Sequence, residues 1–197
     1  MVGVLISTIY DKTDSIKLSM QRLNIQKLIL LTDKESKNTQ TKSIEFIERA
    51  FGDILKIEKK KVDLYDVLSV ARDAIEIIRH IQKEDDIYID VSQGRKTQAF
   101  GVLFACYRMS NRIKEIMYWG DDKNLIILPK LSFELDKDKK SILKIIESSE
   151  SIIELLSRLK MSKAKTYRLI KNLEYTGLLL KGDGKYKITD AGKIALL

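Results

Sequence analysis

Apolar positions in this chain fall into short β-branched runs that alternate with amphipathic stretches of helical period. Residues 2–9 (VGVLISTI) read as a buried strand ending in polar Ser7 and Thr8. Residues 11–23 repeat apolar Ile16, Met20 and Leu23 at helical spacing, and 27–31 (KLILL) form a second strand ending in Thr32-Asp33. Residues 36–51 carry Ile44, Ile47 and Phe51 on one face before Gly52 stops the helix, and 53–58 (DILKIE) read as a third strand. Asp63 is the expected cap of a helix striped by Leu64, Leu68, Ala71, Ile75 and Ile78. Residues 87–91 (IYIDV) give a fourth strand, and the helix after Lys96 is apolar almost all round as far as Met109. Runs 113–119 and 125–128, split by Gly120-Asp121-Asp122-Lys123-Asn124, predict a final hairpin whose last strand is antiparallel.

Four strand–helix alternations imply an α/β domain over residues 1–128, a mostly parallel sheet with helices on both faces. The only proline, Pro129, opens an expected linker over 129–138. Helical patterns then run over 139–147, 151–159 (capping box Ser151/Glu154) and from a Ser162 cap to about Tyr175, ended by Gly177. Residues 178–181 and 185–188 flank Gly182-Asp183-Gly184, a hairpin signal, and Thr189-Asp190 starts a short last helix. Three helices, a hairpin and a helix describe a winged helix-turn-helix over 139–197.

Charge separates the two parts. The chain carries +8, of which +6 falls from Pro129 onward, where 15 Lys/Arg face 9 Asp/Glu. No acid occurs between Glu154 and Glu174. Thr166, Leu169, Ile170 and Leu173 of the third helix turn to the core, leaving Lys163, Lys165, Tyr167, Arg168 and Lys171 on the outside. With Ser162 at the cap and Lys185 on the hairpin, that helix suits a DNA major groove, its cations reaching phosphates or guanine edges.

In open α/β sheets ligands sit outside the carboxyl ends of the strands. Ser7-Thr8-Ile9 and Ser92-Gln93-Gly94-Arg95-Lys96 should meet at such a crevice, where a helix N-terminus and two cations favour an anion. No G-x-G-x-x-G follows the first strand and no phosphate-loop motif occurs, which argues against an ordinary dinucleotide enzyme or NTPase. One cysteine, Cys106, and one histidine, His80, leave zinc sites and nucleophile triads without parts. No metal or cofactor is expected. The absence of a long apolar run or a signal core points to the cytoplasm and no membrane contact.

The polar loop Ser7-Thr8-Ile9-Tyr10-Asp11 and the run Asp90-Val91-Ser92-Gln93-Gly94-Arg95-Lys96 resemble the corresponding loops of CRISPR-associated Rossmann fold (CARF) domains. The whole chain is similar to archaeal CARF–winged-helix regulators of CRISPR systems. That family's second loop reads hydroxyl residue, two glycines, a variable residue, then Lys or Arg; Gln93 stands where the first glycine is usual. The resemblance implies a homodimer binding cyclic oligoadenylate, mostly cyclic tetra-adenylate, across its two-fold axis. Ser7, Thr8, Ile9 and Ser92 to Lys96 of both subunits would line that pocket. It further implies a transcriptional regulator of promoter DNA. The helix after Lys96, apolar on too many sides for a surface helix, is expected at the dimer interface. Two other readings stay open: a metal-independent ring nuclease using Ser7 and Lys96, and a DNA-binding regulator with another or no ligand.

Overall fold

The computed structural model describes residues 2–35, 38–63, 65–133, 135–148, 157–159, 161–182 and 185–197. It divides into two units, 1–132 and 133–197.

The first unit is built on β1 (Gly3–Thr8), β2 (Lys27–Asp33), β3 (Lys56–Val62), β4 (Asp86–Asp90), β5 (Ile113–Trp119) and β6 (Leu125–Leu128). They form one sheet in the order β3-β2-β1-β4-β5-β6, parallel throughout except for antiparallel β6. Helices α1 (Asp14–Arg22), α2 (Asn38–Phe51), α3 (Val67–Arg79) and α4 (Lys96–Arg108) make the connections. The fold is therefore α/β and Rossmann-like, as the alternation predicts.

Burial follows the apolar pattern. One core joins Leu5, Leu28 and Leu30 of the sheet, and Ile9 just past β1, to Ile16 of α1 and to Ile44 and Ile47 of α2. Side chains alternate across a strand, so Val4 and Ile6 turn to the other face, covered by α3 and α4 through buried Ala71, Ile75, Ile78, Val102, Ala105 and Cys106. Gly101 lets α3 and α4 approach closely, since a Cβ there would lie 2.6 Å from Val70 Cβ.

Three expectations in this unit need correction. The third strand is Lys56–Val62 rather than 53–58. It lies at the sheet edge, where exposed Lys59, Lys60 and Lys61 replace the apolar run that marks a buried strand and blunt an otherwise open ladder. The cap of α3 is Asp66, which accepts from Leu68 N at 3.0 Å, while Asp63 accepts from Tyr65 N in the preceding turn. α1 starts at Asp14 rather than Asp11, because residues 9–13 are taken up by the loop leaving β1. Ser36 and Leu64, placed in helices by the pattern, lie outside the described residues.

The second unit comprises α5 (Lys137–Ser148), α6 (Lys163–Tyr175), the antiparallel hairpin β7 (Leu179–Gly182) and β8 (Lys185–Ile188), and α7 (Asp190–Leu196). Its own core collects Ile142, Leu143, Ile146, Leu159, Leu169, Ile170, Leu173, Leu178 and Leu179. Phe133 and Leu135, read as linker, pack against this core. Ser162 caps α6 through Lys165 N, Thr189 caps α7 through Gly192 N, and Gly177 follows α6 at φ +73°. The Ser151/Glu154 capping box and the turn residues Asp183 and Gly184 lie outside the described residues.

Candidate functional site

β1 and β4 are the strands between which the connections change direction. β1 leads outward to β2 and β3, and the chain then returns to pair β4 on the other side of β1. Their carboxyl ends coincide, Ser7 opposite Asp90, so the loops that follow open into one crevice.

Asp90 is the hub of that rim. It is fully buried, accepts from Ser92 N at 2.9 Å and from Ser92 Oγ on one oxygen, and from Ser7 Oγ at 3.1 Å on the other. Burial pushes its carboxyl above the ordinary range, and the donors from Ser92 and Ser7 pull against that shift. Ser92 Oγ also accepts from Trp119 N at 2.7 Å, tying the ends of β1, β4 and β5 together.

Ser7, Thr8 and Ile9 are 1%, 0% and 0% exposed. Ser7 donates to Asp90 and Thr8 to the Gln93 carbonyl, so these residues hold the rim from beneath. Expected to line a pocket there, Ser7 and Thr8 instead lie buried beneath the second loop, and Ile9 is buried in the core under α1 and α2. Gln93, Gly94 and Arg95 are half-buried, and Lys96, the first residue of α4, is exposed.

Gly94 explains how the loop fits. Its φ is +95°, and a Cβ would stand 2.2 Å from Gln98 Oε1 and 3.1 Å from Thr8 Cβ. Gln98, wholly buried in the first turn of α4, donates from Nε2 to Leu31 O at 2.9 Å. Its Oε1 has no partner among the described residues. A second buried glutamine, Gln40, donates to Ile9 O at 2.9 Å and accepts from Asp33 N at 3.0 Å. Each carboxamide occupies backbone groups that the strand ends leave over.

Arg95 and Lys96 bring two cations to the start of α4. α4 has no acid in its first turn, and its first helical bond runs from Ala99 N to Arg95 O, so the preceding amides lie outside the helix ladder. Arg95 stands at the cap of α4 with its guanidinium 5.4 Å from the Tyr10 ring centre and 4.8 Å from that of Tyr65. These positions can hold a phosphate-bearing ligand by backbone amides, helix dipole and two cations.

Sequence reasoning missed Asp90, Gln40, Gln98, Trp119, Tyr10 and Tyr65 as site residues. The legible signals were an acid ending an apolar strand and a glutamine inside an apolar helix.

A different groove, of about 460 Å³, runs beside edge strand β3 and α3, lined by Lys27, Ile29, Glu58, Lys60, Asp73 and His80. One ion pair, Lys27–Glu58, lies within its lining. Glu58 lies 3.0 Å from Lys27 and 3.2 Å from Lys56, and these bonds hold its carboxyl below the ordinary range. His80 Nδ1 lies 2.8 Å from Glu76 O at the end of α3, while Cys106 is buried and its thiol is shifted upward by that burial. No cluster of His, Cys, Asp or Glu among the described residues could hold a metal ion, and no described helix is long and apolar enough to cross a membrane.

On the second unit, Thr166, Leu169, Ile170 and Leu173 face inward. Ser162, Lys163, Lys165, Tyr167, Arg168 and Lys171 are exposed, and Lys185 is exposed on the hairpin. The field is less uniform than the local sequence suggests, because Asp138 of α5 pairs with Lys165.

A family model described as "HFX_2341_N:-like, N-terminal" matches residues 4–123. No curated protein matches the sequence. Several solved structures share the fold. Can2 from Sulfobacillus thermosulfidooxidans, in complex with cyclic tetra-adenylate, is 14% identical with a TM-score of 0.50, over 98% of this chain and 63% of that one. Protein VC1899 from Vibrio cholerae is 9% identical with a TM-score of 0.53, over 98% and 64%. Csm6 from Enterococcus italicus, bound to cyclic hexa-2'-fluoro-hexa-dAMP, is 10% identical with a TM-score of 0.51, over 88% and 54%. The chain thus spans just under two thirds of the first two proteins and about half of the third.

Proposed function

The chain belongs to the HFX_2341_N-like, N-terminal family, and from that premise we propose that it is a CARF-type sensor of cyclic oligoadenylate that regulates transcription in a CRISPR system. In this reading residues 1–128 form a homodimer that takes cyclic tetra-adenylate at its two-fold axis. Residues 139–197 act as a winged helix-turn-helix on promoter DNA, and the protein works in the cytoplasm.

The observation that carries the reading is the crevice where β1 and β4 end. An Asp90-centred network fixes the loops there, and half-buried Gln93, Gly94 and Arg95 lead to exposed Lys96 at the start of a helix free of acids. Two copies across a dimer axis would present two helix N-termini and four cations to a cyclic ligand of matching symmetry. Two structures of the same fold hold cyclic adenylates. Phe100 on α4 is 54% exposed, an apolar surface fitting a subunit contact. For DNA, the exposed Lys163, Tyr167, Arg168 and Lys171 with Lys185 supply phosphate and base contacts. Cleavage of the ligand by Ser7 and Lys96 draws no support from a Ser7 hydroxyl that is buried and donated to Asp90.

Calorimetric titration of cyclic tetra-adenylate into the wild type and into Lys96→Ala tests the sensor. Binding at one ligand per dimer, weakened by the substitution, is the expected result. No binding by a folded protein that still binds DNA would overturn the sensor and leave a regulator without this ligand.

A further inference from the structure

The rim holds one cation whose partners are rings instead of carboxylates. Arg95 lies over Tyr10 from the loop after β1 and over Tyr65 from the loop before α3. Among the described residues its guanidinium makes no hydrogen bond or ion pair, and its Nε is buried without a partner. Arginines drawn out of water are ordinarily paired with acids, so a half-buried one held only by ring faces has its donors in reserve. A guanidinium stacked on an aromatic face keeps its in-plane N–H groups for an anion.

The rings have surface to spare. Tyr65 is 63% exposed although it stands beside Arg95, and Tyr10 is half-buried. An aromatic face open to solvent at the edge of a cationic site is the arrangement on which nucleobases stack.

We propose that Tyr10, Tyr65 and Arg95 form a base-stacking clamp: a ligand base stacks on Tyr65 while Arg95, seated on both rings, bridges to the adjoining phosphate. This rests on the cyclic oligoadenylate reading for the ligand's identity and adds its selectivity, for a phosphate that carries a base over a bare polyphosphate.

The test is calorimetric titration of the full chain with cyclic tetra-adenylate, ATP and inorganic tripolyphosphate. Wild type is compared with Tyr65→Ala, Tyr65→Phe and Arg95→Ala. Tyr65→Ala is expected to weaken cyclic tetra-adenylate about tenfold or more and to leave tripolyphosphate within about twofold. Tyr65→Phe keeps the ring and the affinity, and Arg95→Ala weakens all probes that bind. Unchanged cyclic tetra-adenylate affinity in Tyr65→Ala, or an equal loss for tripolyphosphate, overturns the clamp while leaving the sensor standing. Wild type that ignores cyclic tetra-adenylate but binds ATP with the same Tyr65 dependence keeps the clamp and rejects the cyclic ligand. Binding of neither adenine compound overturns the clamp.

Discussion

Ser7 and Asp90 stand opposite each other on neighbouring parallel strands, and Ser7 Oγ donates to Asp90 Oδ2 at 3.1 Å in the buried interior of the rim. Ser7→Ala strips that oxygen of the Ser7 donor and leaves a buried acceptor poorly satisfied. The substitution should cost about 1–3 kcal/mol, read from urea midpoints. An unshifted midpoint would mean the pair contributes nothing to stability.

The carboxyl of Asp90 also gives the fold a pH signature. Its pKa is raised by burial, so the folded state favours the protonated acid. The contribution is fully present below the ordinary carboxylate value, about 3.9, and is lost as pH rises through the raised value. Asparagine cannot ionise. The stability of Asp90→Asn relative to wild type should therefore climb as pH rises from about 4 toward 8. Denaturant unfolding of both proteins at several pH values checks this, and a difference that stays flat would contradict it.

Two glycines at positive φ make a controlled comparison. Gly177, at +73°, has nothing within 4 Å of a built Cβ, so Gly177→Ala meets only the backbone penalty, about 1–2 kcal/mol. Gly94, at +95°, would drive a Cβ into Gln98 Oε1, and Gln98 is anchored to Leu31 O. Gly94→Ala should cost at least about 1 kcal/mol more than the backbone term alone, seen as a larger drop in thermal midpoint, and should weaken ligand binding. Equal drops would mean that Gln98 yields freely.

Among the described residues, the proposed DNA helix sets Lys165, paired with Asp138, apart from Arg168 and Lys171. Arg168→Ala and Lys171→Ala should weaken duplex binding similarly across sequences, and each phosphate no longer neutralised should lower the salt slope by about 0.9. Lys165, already paired with Asp138, should change the slope less. Fluorescence anisotropy over a salt series measures all three.

The parallel sheet is legible because β1, β2 and β4 are largely buried and advertise it as apolar runs. β3 runs past the predicted 53–58 because an edge strand needs no such run, and the polar Lys59 to Lys61 carry no strand signal. At the site, Gly94 and Lys96 follow from the strand–turn–helix pattern. Tyr65 and Trp119 do not, since they reach the rim from loops and strands far away in the chain, and periodicity carries no information about such meetings. Gln40 and Gln98 read as ordinary helix-start residues until their carboxamides are found on Ile9 O and Leu31 O.

Those two glutamines bear on the thermodynamics of whatever enters the crevice. Gln40 holds backbone just past the end of β1 and at the end of β2, and Gln98 holds Leu31 O within β2, so the floor of the proposed site is tied to two helices. If the crevice takes the proposed ligand, binding would withdraw little disorder from this part of the protein, and more of the contact energy would survive as affinity.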